Sequence, residues 1–234
     1  MKAHQITAYA FAAPESKGRK LRFAVVADLH NGPWEDVRVT LESSDAVLVL
    51  GDIVNRHCRG TNHAISFVEQ VPKLAPTFFS IGNHERRSRD MDEMWNVLKK
   101  SDMEILDNRY VEFCGLYLGG FSSIDPDWPE VPFSMLEHME RENGMKILMC
   151  HHPEYFPRYI AGRNIDLTLS GHAHGGQIQI AGHGLYAPGQ GLFPRLTDGY
   201  YYDRRLLVSR GMTNSARAPR IWNPMEILTL EVEY

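Results

Sequence analysis

Five apolar runs recur along the chain, and each is followed at once by a small set of polar residues. Residues 21–27 are almost continuously apolar, as expected of a strand buried on both faces, and they stop at Asp28, Leu29 and His30. Residues 46–50 repeat the pattern and stop at Gly51-Asp52, and residues 77–81 stop at Gly82-Asn83-His84-Glu85. Residues 146–150 run into His151-His152-Pro153, and residues 165–169 lead to Gly171-His172-Ala173-His174-Gly175-Gly176-Gln177. Helices are predicted over about 34–43, 62–71, 91–100 and 133–143. Residues 104–106 and 110–118 read as two further strands, and a turn rich in proline comes next at Pro126, Pro129 and Pro132. Residues 205–209 and 226–232 read as strands that complete a second sheet. Strands alternating with helices predict an α/β domain.

Residues 1–20 are mixed in character, with an exposed turn over 14–20, and are set apart as an N-terminal extension. No internal repeat, low-complexity tract or linker divides residues 21–234, which are predicted to form one domain. Composition narrows the picture only slightly: 43% hydrophobic and 23% charged residues describe an ordinary globular chain. A formal charge of −4 without a long basic run gives no sign of nucleic acid or an anionic membrane as partner. Cys58, Cys114 and Cys150 are odd in number and form no Cys-x-x-Cys pair, which fits reduced thiols in a cytoplasmic protein, with Cys114 and Cys150 as small apolar strand residues. The sequence shows no apolar run of signal-peptide length and no stretch of about 18 apolar residues, so a soluble, unexported chain is expected. Peripheral membrane attachment stays open.

The chemistry lies just beyond the strands. Polar residues at the carboxyl ends of buried strands are where α/β folds place their sites. The five strand-end clusters supply Asp28, His30, Asp52, Asn83, His84, His151, His172 and His174. Oxygen and imidazole donors without thiolate suit manganese, iron, zinc or nickel better than a structural zinc site. Seven or eight ligands are too many for one tetrahedral ion and suit two ions that share a carboxylate. His172 and His174, one residue apart in a glycine-bracketed loop, can diverge onto neighbouring ions.

With its motifs in the order D-x-H, G-D, G-N-H-[DE], H and G-H-x-H over residues 28–174, the chain resembles the calcineurin-like metallophosphoesterases. The run from Gly171 to Gln177, with Ser209-Arg210-Gly211 and Asn223-Pro224-x-Glu226, is similar to a small bacterial branch that includes lipid-A-pathway and cell-envelope phosphoesterases. The resemblance implies a two-sheet β-sandwich flanked by helices. It implies a pair of divalent or mixed-valence transition-metal ions, with Asp28, His30 and His174 holding one, Asn83, His151 and His172 the other, and Asp52 bridging them. His84 would stand beside the pair without ligating. Two ions roughly 3.5–4 Å apart lower the pKa of a shared water, so that hydroxide attacks phosphorus in line with the leaving oxygen. His84 would then protonate that oxygen as general acid.

Many relatives read G-D-x-x-D-R in the second motif, with the last Asp pairing the catalytic His; here that position is Asn55. An amide can orient His84 but cannot stabilise its imidazolium as a carboxylate does. Arg56 matches the arginine that binds substrate phosphate in the family. His151 is favoured over His152 as ligand, since adjacent residues of an extended segment face opposite ways. Glu85 is expected to fix its loop by hydrogen bonds. His57 and His63 match no ligand position, and His4, His138 and His183 are expected at the surface. The long stretch 182–205 has two readings: a wall of the substrate cleft, or aromatics packed against a sheet edge.

The expected activity is hydrolysis of a small-molecule phosphoester, a phosphodiester or pyrophosphate, with two metal ions as cofactors. The alternatives are a non-catalytic metal-binding scaffold of the same fold, and a phosphomonoesterase or protein phosphatase. A metallo-β-lactamase-type hydrolase needs His-x-His-x-Asp-His, and Gly175-Gly176-Gln177 in its place excludes that class.

Overall fold

The computed structural model describes residues 3–14, 16–57, 60–87, 91–124, 131–214 and 219–234. The first half runs β1 (Gln5–Ala12), β2 (Lys20–Val26), α1 (Arg38–Glu42), β3 (Ala46–Val49), α2 (Asn62–Gln70), β4 (Thr77–Phe79), α3 (Met91–Leu98) and β5 (Glu104–Ile105). Then come β6 (Arg109–Phe113), β7 (Leu116–Phe121), α4 (Phe133–Met139), β8 (Lys146–Cys150) and β9 (Leu167–Ser170). Four two-residue strands succeed them, β10 (Gln179–Ile180), β11 (His183–Gly184), β12 (Tyr186–Ala187) and β13 (Gly191–Leu192). The chain closes with β14 (Gly199–Tyr201), β15 (Leu206–Val208) and β16 (Glu226–Glu233).

Two six-stranded sheets result, ordered β1-β16-β2-β3-β4-β5 and β14-β15-β9-β8-β7-β6. Strands β2 to β5 are parallel, as are β7, β8, β9 and β15, so each sheet gathers its carboxyl ends at one edge. Side-chain alternation explains why the runs are apolar throughout. Phe23 and Val25 of β2 and Leu48 of β3 face the core between the sheets, with Ile147, Met149, Leu167 and Leu169 opposite. Ala24, Val26, Val47 and Val49 face the other way and pack with Leu41 of α1, Phe67 and Val68 of α2 and Met94 of α3. On the second sheet Phe121, Leu148 and Cys150 meet Met135, Leu136 and Met139 of α4. The α/β sandwich with helices outside both sheets is therefore present. Each fully buried Val, Leu or Phe in these layers contributes about 1.5–3 kcal/mol by leaving water.

Several local expectations change. Residues 110–118 are not one strand but the hairpin β6–β7, in which Phe113 pairs with Leu116. Cys114 (φ 53°) and Gly115 (φ 90°) supply the two positive φ angles that a tight two-residue turn needs. Cys114 is consequently an exposed turn residue and no strand residue, whereas Cys150 is buried in β8 as expected. Residues 205–209 do join the second sheet, but 226–232 belong to the first, where β16 lies between β1 and β2. Within 1–20, Gln5–Ala12 forms an edge strand parallel to β16 over eight residues. Its small alanines and half-exposed face hid this strand, because only Phe11 in it is fully buried. Cys58, Pro126 and Pro129 lie outside the described residues. Among the described residues no helix is long and apolar enough to cross a membrane.

Candidate metal centre

The carboxyl ends of β2, β3, β4, β8 and β9 converge, and the side chains just beyond them form one buried cluster. Asp28, His30 and His174 each offer a donor atom within 4.8 Å of the others, and so do Asp52, His151 and His172. His30, Asp52 and His84 form a third such triad that overlaps both. Asp52 is the connecting group: its Oδ2 lies 3.1 Å from His151 Nε2, 3.8 Å from His30 Nε2 and 3.8 Å from His84 Nε2. Asp28, Asp52 and His151 are at most 1% exposed.

The backbone is bent to achieve this. Asp28, His30, Asp52, His172 and His174 all have φ between 47° and 64°, a region costly for side chains with a Cβ. Glycine supplies the space beside them. A Cβ on Gly171 would fall 2.8 Å from Asp28 Oδ2, so the glycine before His172 is what lets β9 approach the Asp28 carboxylate. Glu85 ties the second and third loops together, accepting the N–H groups of Asp52 (2.8 Å), Gly82 (2.9 Å) and Val54 (3.2 Å). Asp52 Oδ1 in turn accepts the His84 N–H at 2.8 Å.

The donor atoms fit cations. His30 Nδ1 donates to the Val54 carbonyl at 3.1 Å and His151 Nδ1 to that of Leu50 at 2.9 Å, which leaves Nε2 of each ring facing the cluster. His30 Nε2, His151 Nε2 and Asn83 Oδ1 are buried without a hydrogen-bond partner. Imidazole nitrogens and carboxylate oxygens buried face to face, together with the unpartnered buried amide oxygen of Asn83, are the donor types that a transition-metal ion takes. Charges within the cluster are strongly coupled. Burial opposes ionisation of Asp52, yet His151 beside it holds the carboxyl well below the usual range. Burial likewise opposes charge on His151, but Asp52 outweighs it and the imidazole is pushed up to about 10. His172 is held well below the usual value by burial and by His152, and burial brings His174 down to about 4.

Around this cluster the other expected residues take distinct places. His84 Nδ1 accepts the backbone N–H of Arg56 at 3.2 Å, so the neutral ring carries its proton on Nε2, toward Asp52. Burial lowers its pKa to about 3, with His30 and Arg56 acting in the same direction. Asn55 does not supply the orienting bond: its Oδ1 accepts the His57 N–H at 3.0 Å, closing a local turn. The Arg56 Nε reaches His57 Nε2 at 3.2 Å, and the His57 ring stands edge-on to His84 at 5.5 Å. His152 stacks on Tyr155, packs 4.2 Å from the His172 ring and meets Glu154 Oε1 at 3.2 Å. His63 lies apart beside Glu35, and His138 and His183 are exposed. His4 is not a free surface group: its ring is clasped between Asp36 and the Met212 carbonyl.

Sequence reasoning missed Arg220, whose Nη2 donates to His174 Nδ1 (3.1 Å), the Arg210 carbonyl and the Thr213 carbonyl (2.6 Å each). Burial lowers its pKa to about 10. No motif marks this residue; only folding brings it behind the His174 loop. Asn223 joins it there, donating to the carbonyls of His174 (2.7 Å) and Gln177 (3.0 Å). In the 182–205 stretch Tyr200 packs on Tyr9 of β1 and Tyr202 on Phe156, whereas Leu192 and Phe193 remain exposed.

A family model described as calcineurin-like phosphoesterase matches residues 21–176. A metallophosphoesterase of Campylobacter jejuni, itself uncharacterised, is 26% identical over 92% of this chain and 60% of its own length. One of Aquifex aeolicus is 23% identical over 93% of this chain and 87% of its own length. A bovine (Bos taurus) transmembrane protein with metallophosphoesterase domain is 26% identical over 68% of this chain and 41% of its own. The chain therefore spans about three-fifths or less of two of these three relatives. Among solved structures, the NAD nucleotidase of Haemophilus influenzae superposes with a TM-score of 0.47 at 17% identity, covering 67% of this chain and 39% of that one.

Proposed function

The chain belongs to the calcineurin-like phosphoesterase family, and from that premise and the buried Asp and His cluster we propose that it is a phosphohydrolase dependent on two metal ions, acting on a phosphodiester or pyrophosphate. The observation that carries the proposal is Asp52, a single buried carboxylate shared by the groups around His30 and those around His151. We assign Asp28, His30 and His174 to one ion, Asn83, His151 and His172 to the other, and Asp52 to both. Manganese, iron, zinc and nickel all suit this donor set. When bound, such a pair supplies an activated water and neutralises charge on the phosphoryl oxygens.

The chain's own residues do the remaining work. Glu85 holds the Asp52 and Gly82 backbones in register, so the shared carboxylate keeps its aim. The His84 Nε2–H points into the cluster and donates a hydrogen bond to the oxygen that leaves. Its low pKa keeps the ring neutral until a phosphoester arrives, and the negative charge of that substrate favours the protonated form needed to complete the transfer. The Arg56 backbone fixes the ring's tautomer, while its guanidinium, near His57 at the rim, receives a non-reacting phosphoryl oxygen.

Turnover of bis-p-nitrophenyl phosphate by metal-stripped protein, with and without added manganese, tests the proposal. Activity should appear only with metal. Asp52→Asn should lose most bound metal together with activity; full metal occupancy in that variant would refute the bridging role. A wild-type protein that binds two ions and turns over no phosphoester would be a scaffold.

A further inference from the structure

Behind the position assigned to Asp28, His30 and His174, two stretches form a bracket: 209–213, which follows β15, and 223–226, which leads into β16. The Arg210 N–H donates to Glu226 Oε1 (2.9 Å), the Arg210 guanidinium pairs with Glu226 Oε2, and the Glu226 N–H donates to the Gly211 carbonyl (3.1 Å). The bracket reaches Asp28 through its backbone. Met212 N–H donates to the Ala27 carbonyl (2.9 Å) and Thr213 N–H to that of Asp28 (3.0 Å), while the Thr213 hydroxyl lies 3.0 and 2.9 Å from the carbonyls of Asp28 and Leu29. A Cβ on Gly211 would fall 2.6 Å from Asp28 Oδ2, so this backbone lies directly against the carboxylate. The bracket reaches His174 as well, since Asn223 donates to its carbonyl and Arg220 bridges the carbonyls of Arg210 and Thr213 to its ring.

The outer fastening of this bracket comes from residues 4–7, which lie outside the stretch 21–176 that the family model matches. His4 Nε2 donates to the Met212 carbonyl at 2.8 Å, because a carbonyl can only accept. On its other side Nδ1 meets the two oxygens of Asp36 at 2.8 and 2.9 Å, and the His4 N–H donates to Asp36 Oδ2 at 2.9 Å. The ring is 3% exposed. Three residues on, Thr7 Oγ1 donates to Glu226 Oε2 at 2.6 Å, adding a partner to the buried carboxylate that holds Arg210. Eight paired residues already attach β1 to β16, so a buried polar clasp ahead of the strand exceeds what attachment requires. A ring bonded at both nitrogens and closed off from water is instead a rigid spacer that fixes where the Met212 carbonyl stands.

We infer that His4, with Thr7 beside it, is a positioning residue for the first ion: it holds the segment 209–213 against Asp28 and behind His174. The inference rests on the two-metal reading and gives the 209–211 and 223–226 motifs a task within it. His4 touches neither ion nor substrate, and acts only through the bracket.

Manganese titration of the full stripped chain tests this in two backgrounds, each keeping one position: His151→Gln keeps the first and Asp28→Asn the second. His4→Ala should weaken binding about tenfold in the first background, the scale of one lost buried hydrogen bond passed on to its neighbours. In the second background it should change affinity by no more than about twofold. His4→Gln, whose amide can donate to the Met212 carbonyl, should recover most of the loss. Thr7→Val should weaken the first position alone and keeps the comparison open if His4→Ala does not fold by circular dichroism. Tyr200→Phe removes a hydroxyl bonded to the Ala10 carbonyl at the far end of β1 (3.0 Å) and should change neither position. Undiminished affinity at the first position, equal loss at both, or a Tyr200→Phe loss matching that of His4→Ala would overturn the inference. A wild-type chain that binds no manganese would strike the two-metal reading beneath it instead.

Discussion

Raising the pH should tighten metal binding at the position assigned to Asp52, His151 and His172, and the reason is one proton. His151 Nε2 lies 3.1 Å from Asp52 Oδ2 and 4.0 Å from Asp28 Oδ1, with no exposure. Burial alone would strip the ring of its charge, but the two carboxylates reverse that and place its pKa at about 10. His172, held well below the usual value, has no proton to lose near neutrality. A cation must therefore displace the His151 proton. Below about pH 10 the free site holds it and the loaded site does not, so affinity rises with pH, by about tenfold or 1.4 kcal/mol per unit. His30, also raised through Asp28 and Asp52 against the effect of burial, adds proton release at the first position. Calorimetric titration of manganese into stripped protein, in buffers of differing ionisation enthalpy, reads this directly. The expected result is release of about one proton for the His151 position between about pH 7 and 8.5, absent in His151→Gln. A buffer-independent enthalpy with a pH-independent affinity would refute the reasoning.

Two further substitutions separate the roles. His84→Ala should leave metal content unchanged and slow esters with poor leaving groups more than those with good ones; equal slowing of both, measured across a series of aryl phosphodiesters, would remove the proton-donor role. Gly171→Ala should push its Cβ against Asp28 Oδ2 and the Ala27 Cβ, each 2.8 Å away. Overpacking of this kind costs about 1–3 kcal/mol in urea denaturation of the stripped chain. It should also weaken the Asp28 position in the manganese titration, and an unchanged affinity would show that the Asp28 carboxylate has room to move.

The sequence is most legible where a strand ends. The apolar runs at residues 21–27, 46–50 and 146–150 are buried on both faces, so their limits show without alternation, and the residues placed after them do converge. The hairpin at Cys114-Gly115 was not legible, because Tyr110, Val111 and Phe113 before the turn and Leu116, Tyr117 and Leu118 after it read as one apolar stretch. The edge strand β1 was hidden for the opposite reason: an edge buries little, and its sequence need not be apolar. The residue behind His84 was misassigned because the orienting donor is a backbone N–H, from Arg56, which no side-chain motif records. Arg220 was missed because it acts across 46 residues of sequence on a ring it meets only after folding.

Arg220 also makes the two halves of the centre unequal. His30 and His151 are held from behind by carbonyl acceptors, which fix the proton on Nδ1 and make Nε2 the stronger donor toward a cation. His174 is held from behind by a guanidinium, which can only donate, so its Nδ1 accepts and the proton of the neutral ring sits on Nε2, 3.8 Å from Asp28 Oδ1. For that atom to bind a cation, the ring must exchange its tautomer and Arg220 must give up the contact, retaining the carbonyls of Arg210 and Thr213 as acceptors. The second position has no such step, since His151 needs only to release a proton. The two positions should therefore load in separate stages, and a single unresolved stage in the same titration would mean that the Arg220 contact yields at no measurable cost.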